Sequence, residues 1–128
     1  MKLSIFNLLL IQLFSSQIAG AGTAVSCVSK GSVQILSESI PLCFLRESRA
    51  LVSVSCVSNS KCGALDLLNK AHTQKPAIRS QGQNPASIAC AKAGGVVEIG
   101  VFPSRDESTF CRAADGTRIE AAALTQKK

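Results

Sequence analysis

Tryptophan and tyrosine are missing altogether, and the 128 residues hold one histidine, one methionine and five phenylalanines. Phe6 and Phe14 fall in the opening stretch, which leaves Phe44, Phe102 and Phe110 as the aromatic side chains of the remainder. Such a shortage removes the stacking platforms on which single-stranded nucleic acid is held. Clustered positive charge is lacking too. Lys30, Arg46, Arg49, Lys61, Arg79, Lys92, Arg105, Arg112 and Arg118 are scattered, and only Lys127 and Lys128 are adjacent. No nucleic-acid partner is expected from that distribution.

Other absences exclude chemistry. His72 has no local nucleophile or orienting acid beside it, so a catalytic unit is not expected; at the end of a predicted helix its ring suits the helix dipole. Cys-x-x-Cys does not occur, which argues against thiol–disulfide exchange of the usual kind. Cys56-x5-Cys62 followed by His72 is wider than a zinc knuckle, so no metal and no cofactor are expected. Gly94-Gly95 lacks the G-x-G-x-x-G context of a phosphate loop. The acidic pair Asp106-Glu107 lies in a polar turn, where adjacent carboxylates seldom converge on one substrate.

What is present begins with an export pattern. Lys2 precedes the apolar run Ile5–Phe14, and Ala19-Gly20-Ala21 follows as an A-x-A cleavage signature. Residues 1–21 therefore read as a signal peptide; the run is too short to span a bilayer, which needs about 20 apolar residues. All six cysteines, Cys27, Cys43, Cys56, Cys62, Cys90 and Cys111, lie beyond it. An even count behind an export signal predicts disulfides in an oxidising compartment, with fifteen pairings open. Ala24-Val25-Ser26-Cys27 loosely imitates a lipidation box, but lipidating Cys27 would leave an odd number of thiols. Without Lys2 the chain carries thirteen basic and eight acidic residues, a net +5. That balance suits weak attraction to an anionic surface or an acidic partner.

Residues 74–83 are polar, contain Pro and Gly and have no period, so they read as a linker between a Cys-rich module at 22–73 and a second module at 84–128. In the second module Asn84 is an N-cap, Pro85 suits the first helical position and Gly94 the helix stop, giving a helix over 85–93. Val96–Phe102 alternates as a strand with Val97, Ile99 and Val101 on one face, and reads as half-core. Thr109–Ala113 is a second strand, Asp115-Gly116 a turn, and 119–124 a final helical turn or two. In the first module residues 32–36, 42–45 and 51–57 read as strands, and 63–72 as a helix burying Leu65, Leu68 and Ala71. The class expected is α+β, short helices on antiparallel strands. A degenerate tandem repeat is also suggested: Cys27 aligns with Cys90, Gly31 with Gly94, Val33-Gln34-Ile35 with Val97-Glu98-Ile99 and Cys43 with Cys111. Under that repeat the disulfides would be Cys27–Cys43, Cys90–Cys111 and Cys56–Cys62.

The order Asn84-Pro85-Ala86, Cys90, Gly94-Gly95, a strand, Cys111, Asp115-Gly116 and Ile119-Glu120 resembles a small bacterial exported domain that carries a hemolysin label. The likeness covers 84–124; the bulky aromatic near the family's end is alanine here. It implies export by a Gram-negative cell and implies no catalytic residues. Pore formation needs spanning helices or long amphipathic hairpins, and the single alternating strand falls short of that. The expected function is thus a non-enzymatic, periplasmic or envelope-associated binding or structural module, without stable transmembrane insertion, whose partner is another envelope protein or assembly. Two alternatives remain: a secreted hemolysin-like effector acting on host membranes, and a protease inhibitor presenting the 103–108 loop with Arg105, Asp106 and Glu107 exposed.

Overall fold

A computed structural model describes residues 26–59, 61–74 and 84–126. The expected signal peptide lies outside the described residues, as does the linker apart from Gln74. Six strands run β1 (Cys27–Ile35), β2 (Glu38–Leu45), β3 (Ala50–Ser53), β4 (Val96–Val101), β5 (Glu107–Arg112) and β6 (Arg118–Glu120). Three helices, α1 (Ser55–Ser58), α2 (Gly63–Thr73) and α3 (Pro85–Ala93), and a 3-10 segment Ala121–Thr125 complete the elements of the described residues. The strands close an antiparallel barrel in the order β1-β2-β3-β6-β5-β4. The protein is therefore mainly β with a few short helices, so the α+β expectation holds only in part: short helices do pack on antiparallel strands, but the strands dominate. Strands from both sides of residues 74–83 enter one barrel, so the helices cover a shared sheet instead of each module's own.

Alternation within the strands generates two cores. Val33, Ile35, Ile40, Leu42 and Phe110 point into the barrel, with Leu51 and Phe102 packed against them. Phe102 and Phe110 meet edge-on with ring centroids 6.1 Å apart. The opposite strand faces carry Cys43, Leu45, Val52, Cys111 and Ile119, which pack with Leu67, Leu68, Cys90, Ala93 and Leu124 of the helices and the 3-10 segment. Each fully buried Val, Leu, Ile or Phe contributes about 1.5–3 kcal/mol relative to exposure. Three disulfides, Cys27–Cys43, Cys56–Cys62 and Cys90–Cys111, have Cα separations of 5.6, 5.3 and 5.6 Å. These are the pairs that the repeat alignment gives.

β1–β2–β3 and β4–β5–β6 are meanders of matching register. Lys30 faces Cys43, which faces Val52; Val97 faces Cys111, which faces Ile119. Left-handed residues coincide too, Ser37 with Arg105 and Arg49 with Gly116. The register makes Val33 equivalent to Gly100 and Lys30 equivalent to Val97, so the sequence alignment of the first strand is off by three residues. The two meanders meet at two seams of a single bridge each, Gln34 with Val101 and Val52 with Ile119. Each bridge joins equivalent positions, as a twofold relation between the meanders requires. At the second seam the Ser53 hydroxyl accepts from the Arg118 N–H at 2.7 Å and donates to its carbonyl at 3.4 Å.

Local differences from expectation have local causes. The strand expected over 51–57 stops at Ser53, because Cys56 turns in to meet Cys62 and residues 55–58 coil into α1. Leu36 leaves β1 for a turn with φ 51°. On α2 the fully covered residues are Ala64, Leu67 and Leu68, whereas Leu65 and Ala71 are only partly covered. Residues 118–120 form β6 before the chain tightens into the 3-10 segment.

Candidate contact face and hairpin

β4 turns its aliphatic face outward. Val97, Ile99 and Val101 are 38%, 55% and 37% exposed, while Glu98 and Gly100 are buried. The reason is Phe110. Its ring fills the barrel where a β4 side chain would stand, and a Cβ on Gly100 would come within 2.8 Å of that ring and 2.6 Å of Val33. The inner side of β4 therefore accepts glycine at position 100, and the aliphatic side faces outward. Strand-periodicity identifies two faces without saying which is inside.

Glu98 was not singled out by its sequence context, yet it holds an ionic cluster inside the barrel. Its carboxylate accepts from Arg118 Nε at 2.8 Å and lies 3.6 Å from Arg112 Nη1. Its side chain is 7% exposed, Arg118's 12% and Arg112's 40%. Two guanidiniums offset the desolvation of one buried carboxylate. A charged residue between β-branched neighbours was the available signal. Nearby, the Ser108 hydroxyl donates to Glu120 at 3.3 Å.

The β4–β5 connection is a tight hairpin. Arg105 N–H donates to the Phe102 carbonyl and Phe102 N–H to the Asp106 carbonyl, both at 2.8 Å. Arg105 takes φ 73°, the left-handed position of a type I turn with a bulge, where glycine is usual. Arg105, Asp106 and Glu107 are all exposed. They do not converge: the Ser104 hydroxyl donates to Asp106 at 3.0 Å, Glu107 opens β5 opposite Val101, and Arg105 borders a groove of about 360 Å³. Ser32, Gln34, Ser39, Val101, Phe102 and Pro103 line the rest of that groove. It continues the outer face of β4.

The motif residues sit elsewhere and hold the scaffold. The Asn84 side chain accepts from Ala86 N–H at 2.9 Å and Pro85 opens α3. Gly94 closes that helix at φ 97°, and a Cβ on Gly95 would collide with Cys111 Sγ and lie 3.1 Å from Cys90 Sγ. Asp115 does more than turn the chain. Its Oδ2 accepts from Gly63 N–H at 2.7 Å, and Thr117 Oγ1 accepts from Ala64 N–H at 2.9 Å. The β5–β6 turn thus caps α2, whose own N-cap Cys62 provides no side-chain bond. Hydrogen bonds from the Thr117 hydroxyl, and then from Gly63 and Thr117 N–H, hold the Asp115 carboxyl below its ordinary value. His72 Nε2 lies 3.1 Å from the Ala123 carbonyl and ties α2 to the 3-10 segment. All six cysteines are paired, and among the described residues no group of three or more His, Cys, Asp or Glu could hold a metal ion.

Residues 81–128 match the family Domain of unknown function (DUF333). The DUF333 segment contains α3, β4, β5, β6 and the 3-10 segment, and with them Glu98, the exposed β4 face and the hairpin. Its family description assigns no activity. No curated protein and no solved structure matches the chain. Structurally, the DUF333 segment supplies one of the two meanders of the barrel.

Proposed function

We propose that this chain is a non-enzymatic exported protein of the bacterial envelope that acts by protein contact, with the outer face of β4 as its contact surface and Arg105 at the rim. One observation carries the reading. The positions of Val97, Ile99 and Val101 recur in the first meander as Lys30, Ser32 and Gln34. The same barrel position is thus built with polar side chains in one half and aliphatic ones in the other. Folding does not require the aliphatics, and an apolar row at the surface favours a partner that covers it. Three disulfides, and the absence of a helix long and apolar enough to cross a membrane among the described residues, fit export.

The first meander also prescribes the test. Replacing Val97→Lys, Ile99→Ser and Val101→Gln should leave all three disulfides formed and the thermal transition intact. Cross-linking of the oxidised protein to native envelopes should give a discrete adduct with the wild type and none with the triple variant. Equal adduct yield from both would overturn the reading. A lytic effector is the outcome if liposomes leak at low protein. The left-handed backbone at Arg105 weighs against a substrate-like inhibitory loop, which offers extended main chain at its contact residue.

A further inference from the structure

Among the described residues, β4 has a main-chain edge that its neighbours leave open except at one end. Its far edge pairs with β5 from Val96 to Val101, but toward β1 a single bridge, Val101 with Gln34, is made among the described residues. Beyond that bridge β1 ends at Ile35 and turns at Leu36 and Ser37, while β4 runs on through Gly100, Ile99, Glu98, Val97 and Val96. Open edges are commonly guarded by lysine or proline on the rim, or by an inward-pointing charge. The corresponding rim of β1 has Lys30. The rim of β4 has Val97 and Ile99, and its one inward charge, Glu98, is neutralised where it stands by Arg118 and Arg112.

We infer that this edge pairs with β4 of a second copy of the chain, antiparallel about Glu98, so that Val97 faces Ile99 of the partner. The inference rests on the proposed contact surface and extends it: main-chain pairing uses the edge, leaves the outer faces free and joins two aliphatic rows into one. A second copy is the occupant because the barrel already uses this mode. Its seam at β1 and β4 joins equivalent positions of two like meanders, antiparallel, along the same edge. The register is self-complementary. It sets aliphatic against aliphatic twice on the outer side, pairs that favour a sheet. Glu98 meets its twin on the inner side, where each is flanked by its own two arginines. The closed twofold also ends growth at two chains.

Analytical ultracentrifugation of the oxidised full chain tests this with two double variants. Val97→Lys with Ile99→Lys sets lysine against lysine across the twofold. Val97→Lys with Ile99→Glu sets lysine against glutamate twice. Both erase the aliphatic row equally. Wild type should be a concentration-dependent dimer. The Lys/Glu variant should dimerise at least about tenfold more tightly than the Lys/Lys variant at low salt, with the gap shrinking as salt screens the pairs. A wild type that stays monomeric, or two variants that behave alike, would overturn the pairing. The two readings fail separately. A monomer that still forms the envelope adduct loses only the dimer, whereas a Lys/Glu dimer that keeps the adduct removes the aliphatic contact surface.

Discussion

Asp115 shows how much a single side chain does here. A residue expected to shape a turn reaches across the chain and caps a helix that begins at Gly63. Asp115→Ala should cost about 0.5–2 kcal/mol, as loss of an N-cap does, read from urea unfolding at neutral pH. Its native carboxyl titrates below the ordinary 3.8, so the unfolded chain binds the proton first as pH falls. The stabilisation is full above that ordinary value and disappears as pH falls through the native one. The difference between wild type and variant should therefore close in acid; a constant difference at low pH would show that the bond to Gly63 is not what the variant removes. Gly95→Ala belongs to the same scale. Its Cβ has no room beside Cys111 Sγ, so the variant should lose about 1–3 kcal/mol as an overpacked site and yield free thiol at Cys90 and Cys111 in non-reducing mass maps.

Between elements, the pair Val33 and Gly100 sets the fit of the two meanders. They hold equivalent register positions and touch across the seam, one large and one absent. Gly100→Ala should destabilise by about 1–3 kcal/mol, and Val33→Ala by a similar order from the cavity it leaves. Combining them should cost less than their sum, since the new methyl enters the vacated space. Additive melts would disprove that contact. The sequence made the local parts of these elements readable: the Asn84-Pro85 start and Gly94 stop of α3, the strand over 96–102 to within one residue, the connection over 103–108, of which 107 and 108 join β5, and the turn at 115–116. It could not reveal which side of β4 is inside, because that depends on Phe110 lying opposite Glu98 in β5. Nor could it reveal Asp115 on α2, a contact between residues far apart in sequence. Leu51–Val57 misled for a related reason: its aliphatic content satisfied a strand, while the Cys56–Cys62 link bent it into a helix.

At the scale of the whole molecule, few aromatics are offset by covalent ties. With Phe110 the one fully buried aromatic side chain among the described residues, each disulfide represents a large share of stability. Replacing Cys90 and Cys111 together by alanine should cost about 2–5 kcal/mol and lower the thermal midpoint more than replacing Cys56 and Cys62, whose loop is shorter. Equal losses would show that local packing, not loop closure, sets the value. The family match covers one of the two meanders, and here the preceding residues provide the other.

Every disulfide closes on its own side of residues 74–84, so the two seams carry no covalent link and the two halves are joined only through that stretch of chain. The barrel is in this sense a complex that happens to be written on one strand of peptide. Two separately produced pieces, each oxidised on its own, have all they need to find one another. A cut between them would show on a denaturing gel and leave the native particle the same size.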